Sequence, residues 1–352
     1  MHLNQLGWDH FFAQSFEVHS QRGYIAGRVA IVHKDRWVIL TEQGEHLAEI
    51  AGRFRHQIAS AEALPVVGDW VALRLREGGE HGIIGAVLPR KSKFSRKGVG
   101  SSNEEQLVAT NIDTAFLVSG LDGDFNPRRI ERYMVLAWES GANPVIVLSK
   151  ADLCSDVAHC LRAVESIAAG LPIVVLSANE DQGLLALQKY LKPGQTAALL
   201  GSSGVGKSTI VNRLMGRQIQ RTAEVRADDS RGRHTTTHRE LIALESGGLL
   251  IDTPGMREIQ LWATDDSLQS TFSDVETVAQ HCRFRDCHHL DEPDCAVKQA
   301  IETGALSPAR FASYQKLQKE LDYLIRKQDP LAQQAQKQQW KKIHKQMRSQ
   351  KP

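Results

Sequence analysis

The sequence predicts a multidomain fold: a small N-terminal β-barrel, a central α/β domain with a mostly parallel sheet, and a helical C-terminal module built around a Cys/His cluster. Three observations predict it. Short apolar runs separated by glycines fill the segment before Ser92. From Thr114 to Ile251 apolar runs alternate with helical stretches. After about Trp262 the strands stop, cysteines and histidines gather, and helical sequence runs to the end. The boundaries read as 1–105 for the barrel with its linker, 106–262 for the α/β domain and 263–352 for the C-terminal module. No internal repeat is present.

Bulk properties agree with this. A chain of 352 residues has room for two or three domains. Charged residues make up 24% and the apolar set 41%, an ordinary globular balance. No apolar run is long enough to span a bilayer, and Met1 to Phe16 lacks the apolar core with basic flank of a signal peptide. Five cysteines are too few for a disulfide framework. A cytosolic location without a membrane partner is the expectation. The net charge of +2 hides a basic tail: from Arg310 onward, lysines and arginines such as Lys316, Lys319, Lys341, Lys342 and Lys345 outnumber Glu320, Asp322 and Asp329. Such a tail is either a solvated helix face or a contact for a polyanion.

In the barrel, Gly27–Val32, Arg36–Leu40, Gly68–Leu73 and Gly82–Val87 read as strands. Their spacing suits a small barrel, and an OB-type barrel is the natural analogy. The polar stretch from Ser92 through Glu105 reads as a linker. In the α/β domain, Thr114–Ser119, Val145–Ser149, Ile173–Ser177, Ala197–Leu200 and Leu249–Ile251 read as strands. β/α alternation implies helices on both faces of the sheet, with ligands at the carboxyl ends of its strands.

Gly201-Ser202-Ser203-Gly204-Val205-Gly206-Lys207-Ser208 matches G-x-x-x-x-G-K-[ST] in full. It lies between a strand and a helix, as the motif requires. Its glycines let backbone N–H groups wrap phosphates at the positive end of a helix. Lys207 is placed to reach the β and γ phosphates and the Ser208 hydroxyl to ligate Mg²⁺. Thr209, opening the helix, completes the phosphate-binding set.

Ser149-Lys150-Ala151-Asp152 resembles the guanine-specificity motif [NT]-K-x-D. The Asp152 carboxylate can accept bonds from guanine N1–H and N2–H₂, which adenine does not offer in that arrangement, and the Lys150 stem can lie across the base. Ser177-Ala178-Asn179 resembles the companion loop whose backbone N–H meets guanine O6. Each follows a strand, about one β/α unit apart. Ser149 departs from the usual Asn or Thr, which ties this loop to the phosphate loop. Serine is shorter and is expected not to reach, which implies weaker nucleotide affinity.

Asp252-Thr253-Pro254-Gly255 resembles the D-x-x-G motif, in which the aspartate holds Mg²⁺ through water and the glycine N–H meets the γ-phosphate. Between it and the phosphate loop lies Arg231-Gly232-Arg233-His234-Thr235-Thr236-Thr237-His238. A threonine there is expected to complete the Mg²⁺ shell. The triplet leaves the choice open, with Thr236 preferred. Where many GTPases carry a water-orienting glutamine, Met256 cannot polarise water. His234 is the internal candidate to accept a hydrogen bond from attacking water; the alternative is that it only packs or contacts RNA. Lys207, Thr236, Gly255 and His234 are therefore the catalytic candidates. Slow hydrolysis, stimulated by a partner, follows.

The motifs run guanine first and phosphate loop later, the reverse of the usual order. A sheet can keep one site with its chain cut elsewhere, so the domain is circularly permuted, and the second switch runs directly into the C-terminal module. There, Cys282-x₄-Cys287-x-His289-x₅-Cys295 supplies three thiolates and an imidazole for a closed, structural Zn²⁺ site. His288 and His281 are alternative ligands. Cys154 and Cys160 read as ordinary residues.

The permuted order, Gly68-Asp69-Trp70-Val71 in the barrel and C-x₄-C-x-H-x₅-C together resemble the RsgA (YjeQ) family, over nearly the whole chain. Leu88-Pro89-Arg90 and Arg233–Thr237 fit it too. The resemblance implies a bacterial GTPase with an OB domain, a permuted GTPase domain and a zinc domain. It further implies action late in small-ribosomal-subunit maturation, contact with rRNA, stimulation by the subunit and release of an assembly factor. GTP or GDP, Mg²⁺ and one structural Zn²⁺ are the expected cofactors, and a monomer the expected state. Leu331–Met347, with Trp340 and Ile343 among lysines, reads as a helix docked by its apolar side. Two rivals remain: a P-loop kinase for a small molecule, which leaves the guanine loops unexplained, and a GTP-binding rRNA scaffold with little hydrolysis.

Overall fold

A computed structural model of the protein describes residues 1–57, 61–76, 78–79, 81–97, 105–168, 170–178, 180, 182–216, 239–252, 265–290 and 292–328. The chain divides into two units, Met1–Gln260 and Leu261–Pro352.

In the first unit, helix α1 (His10–Ser20) precedes the barrel, capped by Asp9, whose carboxylate accepts from the N–H groups of Phe11 and Phe12. Strands β1 (Ile25–Val32), β2 (Trp37–Thr41), β3 (Gly44–Ile50), β4 (Trp70–Leu75) and β5 (His81–Val87) follow, with helix α2 (Gly52–Gln57) after β3. They hydrogen-bond in the order β1-β2-β3-β5-β4, and β4 returns to β1. The barrel is closed and OB-like, with β3 and β5 parallel and the other pairs antiparallel. Val29, Trp37, Ile39, Ala48, Val71, Leu73 and Ile84 fill it. Four of these strands are visible in the sequence. β3 is not, because its interior positions are only His46 and Ala48. His46 is satisfied inside by Gly79 O (2.7 Å) and Thr41 Oγ1 (3.1 Å).

The Gly-Asp-Trp-Val and Leu-Pro-Arg segments meet here. Gly68 has φ +92°, and a Cβ on it would lie 2.1 Å from Thr110 O, so no other residue fits without backbone movement. Asp69 is fully buried. Arg90 forks onto it with two 2.7 Å bonds, and the Thr110 hydroxyl (2.7 Å) and Val66 N–H (2.8 Å) also donate to it. Removing one partner of such a pair leaves a charge desolvated and unmatched. Asp69→Asn is therefore expected to destabilise the first unit by about 3 kcal/mol, read as a lowered midpoint in urea at unchanged slope. An unchanged midpoint would contradict this.

Strands β6 (Lys93–Lys97) and β7 (Glu105–Thr110) pair antiparallel, so the polar stretch read as a linker carries a strand at each end; residues 98–104 lie outside the described ones. The α/β sheet contains β8 (Thr114–Gly120), β9 (Asn143–Ser149), β10 (Ile173–Val175), β11 (Thr196–Gly201), β12 (Glu240–Ala243) and β13 (Leu249–Asp252). Its order is β10-β9-β8-β11-β13-β12, parallel except for β12. Helices α3 (Pro127–Ser140), α4 (Val157–Glu165), α5 (Leu184–Gln188) and α6 (Lys207–Leu214) connect the strands. Every residue of β8 and β11 is buried, as expected for central parallel strands covered on both faces. β12 also pairs with β1 of the barrel at Ile31 and Glu240, so barrel and α/β sheet are hydrogen-bonded into one sheet.

The second unit holds α7 (Asp265–Thr271), α8 (Ser273–Ala279), α9 (Ala296–Glu302) and α10 (Pro308–Gln328). Phe272 is fully buried between the first two. The Arg310 guanidinium stacks 4.2 Å above its ring, pairs with Asp274 at 2.9 Å and donates to Thr271 O at 2.7 Å. The proposed tail helix Leu331–Met347 lies outside the described residues. Among those described, no helix is long and apolar enough to cross a membrane.

Candidate nucleotide site and metal centre

The parallel strands bring their carboxyl ends to one edge of the sheet: Gly120 pairs with Ser149 across β8 and β9, and Val118 with Gly201 across β8 and β11. The motifs, far apart in sequence, meet there.

The phosphate loop begins at the last residue of β11. A Cβ on Gly201 would lie 2.4 Å from Val118 O, which explains the first glycine. Gly204 and Gly206 have φ of +76° and +93°, as the reversal requires. Helix α6 starts at Lys207 with Gly206 in the capping position. A glycine there supplies no side chain to the first-turn N–H groups, the arrangement that accepts phosphate oxygens. Lys207 Nζ donates to Gly201 O (2.7 Å) and Ser202 O (2.5 Å), so the ammonium lies along the loop.

The two loops expected to read guanine, at 149–152 and 177–178, are joined directly. The Ser177 hydroxyl, fully buried, donates to Asp152 Oδ1 at 2.7 Å, and Ala151 N–H donates to Leu176 O at 3.1 Å. Asp152 itself is exposed. One carboxylate oxygen is thus held by the neighbouring loop, which fixes the orientation of the group. Lys150 has φ +58°, and its Nζ donates to Asp122 at 2.5 Å. Burial works against the Asp122 carboxylate, but Lys150 and the Asp124 N–H outweigh it and hold its pKa below the usual carboxylate range.

Ser149 corrects an expectation. Its hydroxyl reaches the phosphate loop, donating to Val205 O at 2.6 Å, with Ser119 O at 3.3 Å. The buried position of Ser149 brings it close enough that a short side chain suffices. Ser149→Ala is therefore expected to weaken GDP binding about tenfold by losing one buried hydrogen bond. Ser149→Asn, too long for the same space, is expected to bind no more tightly than the native chain. Titration with a fluorescent GDP derivative tests both; an alanine variant of native affinity would contradict the tie.

Sequence reasoning missed one element. Arg129, in the first turn of α3, donates to Ser202 Oγ of the phosphate loop at 2.6 Å and is clamped by Asp124 at 2.5 and 3.0 Å. Asp124 holds the guanidinium above its usual pKa. Tyr133, a turn further on, lies 3.4 Å from the same serine hydroxyl. The available signal was position: Asp122 to Arg129 follow the carboxyl end of β8, where an Asn126-Pro127 pair starts a helix.

Asp252 ends β13, next to β11. Asn179, His234, Thr236, Gly255 and Met256 lie outside the described residues, as do the rest of segments 217–238 and 253–264.

In the second unit, Cys282, Cys287, His289 and Cys295 offer ligand atoms that all lie within 4.8 Å of one another. Cys282 Sγ is 3.9 Å from Cys295 Sγ and 3.6 Å from His289 Nδ1, and Cys295 Sγ is 3.4 Å from His289 Nδ1. A tetrahedral zinc ion sets S···S edges of about 3.8 Å and S···N edges of about 3.5 Å, so the group could hold zinc. The spare histidines are not in this group. His281 Nδ1 meets Thr277 O at 2.9 Å, and His288 is exposed. Burial pushes the His289 imidazole below its usual pKa, favouring the neutral form a metal needs.

Comparison with known proteins agrees with this geometry. The family model for the RsgA GTPase matches residues 87–262. An ABC transporter model matches residues 184–349, a span that includes the phosphate loop but not the 149–152 motif. A small ribosomal subunit biogenesis GTPase RsgA from Opitutus terrae is 49% identical, covering 98% of this chain and 96% of its own. An RsgA 2 protein of the same description from Lactiplantibacillus plantarum is 46% identical over 92% of this chain and 91% of its own. Among solved structures, YjeQ from Thermotoga maritima aligns at TM-score 0.64 with 29% identity, covering 85% of this chain and 98% of that one. YloQ, described as a circularly permuted GTPase, aligns at 0.62 with 25% identity over 85% and 95%.

Proposed function

The chain belongs to the RsgA GTPase family, and from that premise we propose that it hydrolyses GTP on the small ribosomal subunit and couples hydrolysis to late maturation of that particle. The observation that carries this reading is the direct bonding of Asp152 to Ser177 and of Ser149 to Val205: the guanine loops and the phosphate loop form one site although the chain order is permuted. A small-molecule kinase has no use for the first of these bonds.

In this reading Asp152 would accept from the guanine edge, backbone N–H groups of 201–208 and Lys207 would hold the phosphates, and Ser208, Thr236 and Asp252 would hold Mg²⁺, which would neutralise phosphate charge. His234 receives the proton side of the attacking water. Met256 leaves the water-orienting position apolar, so turnover depends on the subunit. The segment after Asp252 leads into the second unit, so release of the γ-phosphate is expected to be read out there, freeing the particle or an assembly factor. In this reading the protein acts in the cytoplasm, as a monomer.

The test is co-sedimentation with small subunits in the presence of GDP or a non-hydrolysable GTP analogue. Binding that favours the analogue supports the reading; binding indifferent to nucleotide overturns it. Lysines and arginines of the tail are expected to contact rRNA phosphates, so binding should fall at least about tenfold between 50 and 200 mM salt. A flat salt response would point to a protein partner instead.

A further inference from the structure

Five cysteines are present. Three belong to the metal cluster. The other two, Cys154 and Cys160, are remote from it in sequence yet close to each other, with sulfurs 3.9 Å apart and both half-buried. Cys154 lies two residues after Asp152 and closes the single turn Ala151–Leu153, its N–H donating to Ala151 O at 3.2 Å. Cys160 sits on α4, whose start is fixed by Asp156 accepting from His159 N–H at 2.9 Å and whose inner face is anchored by fully buried Val164. We propose that Cys154 and Cys160 form a peroxide-oxidisable dithiol site whose closure to a disulfide weakens guanine-nucleotide binding. The affinity part rests on the guanine-reading assignment of Asp152.

Peroxide oxygen is transferred to the Cys154 thiol, giving a sulfenic acid and one water. The Cys160 sulfur then attacks the sulfenyl sulfur; the S–S bond forms, and the hydroxyl leaves as a second water with the Cys160 proton. Burial and the adjacent Cys154 push the Cys160 thiol above its usual pKa, which suits Cys160 to the second step rather than the first. A thiol reductant reverses the reaction by exchange.

Closure must shorten the sulfur separation to about 2.05 Å. The anchored helix is the less able of the two elements to move, and Leu153 beside Cys154 is 64% exposed. The turn carrying Asp152 therefore takes up the movement, and the 2.7 Å Ser177–Asp152 bond that orients the base-reading carboxylate is strained or lost.

The experiment uses the full-length, zinc-loaded protein, titrated with fluorescent GDP when reduced, after hydrogen peroxide and after dithiothreitol, with peptide mass analysis and zinc release followed in parallel. Cys160→Ser serves as the comparison. The native chain is expected to yield a cross-linked 154–160 peptide and to bind GDP at least about tenfold more weakly when oxidised, with recovery on reduction. Cys160→Ser should bind like the reduced native chain before and after peroxide. No cross-linked peptide, a cross-link with unchanged affinity, or equal loss in Cys160→Ser overturns the proposal. A reduced chain that does not bind GDP overturns the guanine assignment and the affinity claim with it, while the cross-linked peptide still decides whether the dithiol site exists.

Discussion

Replacing Asp152 with Asn is expected to weaken GDP and GTP binding by at least about a hundredfold, since a buried donor pair on the base loses its acceptor, while the fold persists. The Ser177 hydroxyl still finds an acceptor in the amide oxygen, so the substituted side chain keeps its orientation. What changes is the group turned to the base: an NH₂ donor replaces an acceptor. Xanthine carries a carbonyl where guanine carries its amino group, so the variant is expected to prefer xanthine nucleotides. Competition of GDP and XDP against a fluorescent nucleotide measures this. Native-like GDP affinity in Asp152→Asn would mean that the 149–152 loop does not read the base.

The second large effect concerns the metal centre. Zinc is expected at one ion per chain by metal analysis, and its removal by chelation, or Cys295→Ser, is expected to unfold the second unit. Structural zinc in small domains contributes on the order of 10 kcal/mol or more. The helices it ties together offer little alone: α7, α8 and α9 have seven residues each, well below the length at which isolated helices persist. Cys295 is buried and caps α9, so its loss removes a ligand and a packed side chain together. Hydrogen exchange would show protection lost over 265–317, with nucleotide affinity, a property of the first unit, unchanged within about twofold. Retained protection after complete zinc removal would contradict a structural role.

Much of this was legible in the sequence, for identifiable reasons. Central parallel strands are buried on both faces, so β8, β9 and β11 stand out as unbroken apolar runs, and the phosphate loop has a fixed spacing between strand and helix. The Cys/His spacing likewise singled out Cys282, Cys287 and Cys295 and preferred His289, but it left His281 and His288 as alternatives until the fold grouped His289 with the three sulfurs. β3 escaped notice because a barrel interior can be filled by a histidine and an alanine when neighbouring strands supply the bulk. Ser149 was misjudged because reach depends on backbone separation, and only the fold shows that Val205 O approaches within one hydrogen bond. Arg129 and the Cys154/Cys160 pair depend on how helices α3 and α4 lie beside the loops after β8 and β9. No local pattern encodes such juxtapositions. Conversely, the fold gives a structural reason for Gly-Asp-Trp-Val and Leu-Pro-Arg, which sequence alone treats as mere signatures: they build the buried Asp69–Arg90 pair.

The most direct test of the central claim is hydrolysis of GTP and of ATP by the purified protein, with and without small ribosomal subunits. Slow GTP turnover that rises at least tenfold with subunits, about 1.4 kcal/mol of barrier, and no comparable ATP turnover is the predicted result. ATP preference, or GTP turnover indifferent to the subunit, would contradict a ribosome-triggered GTPase.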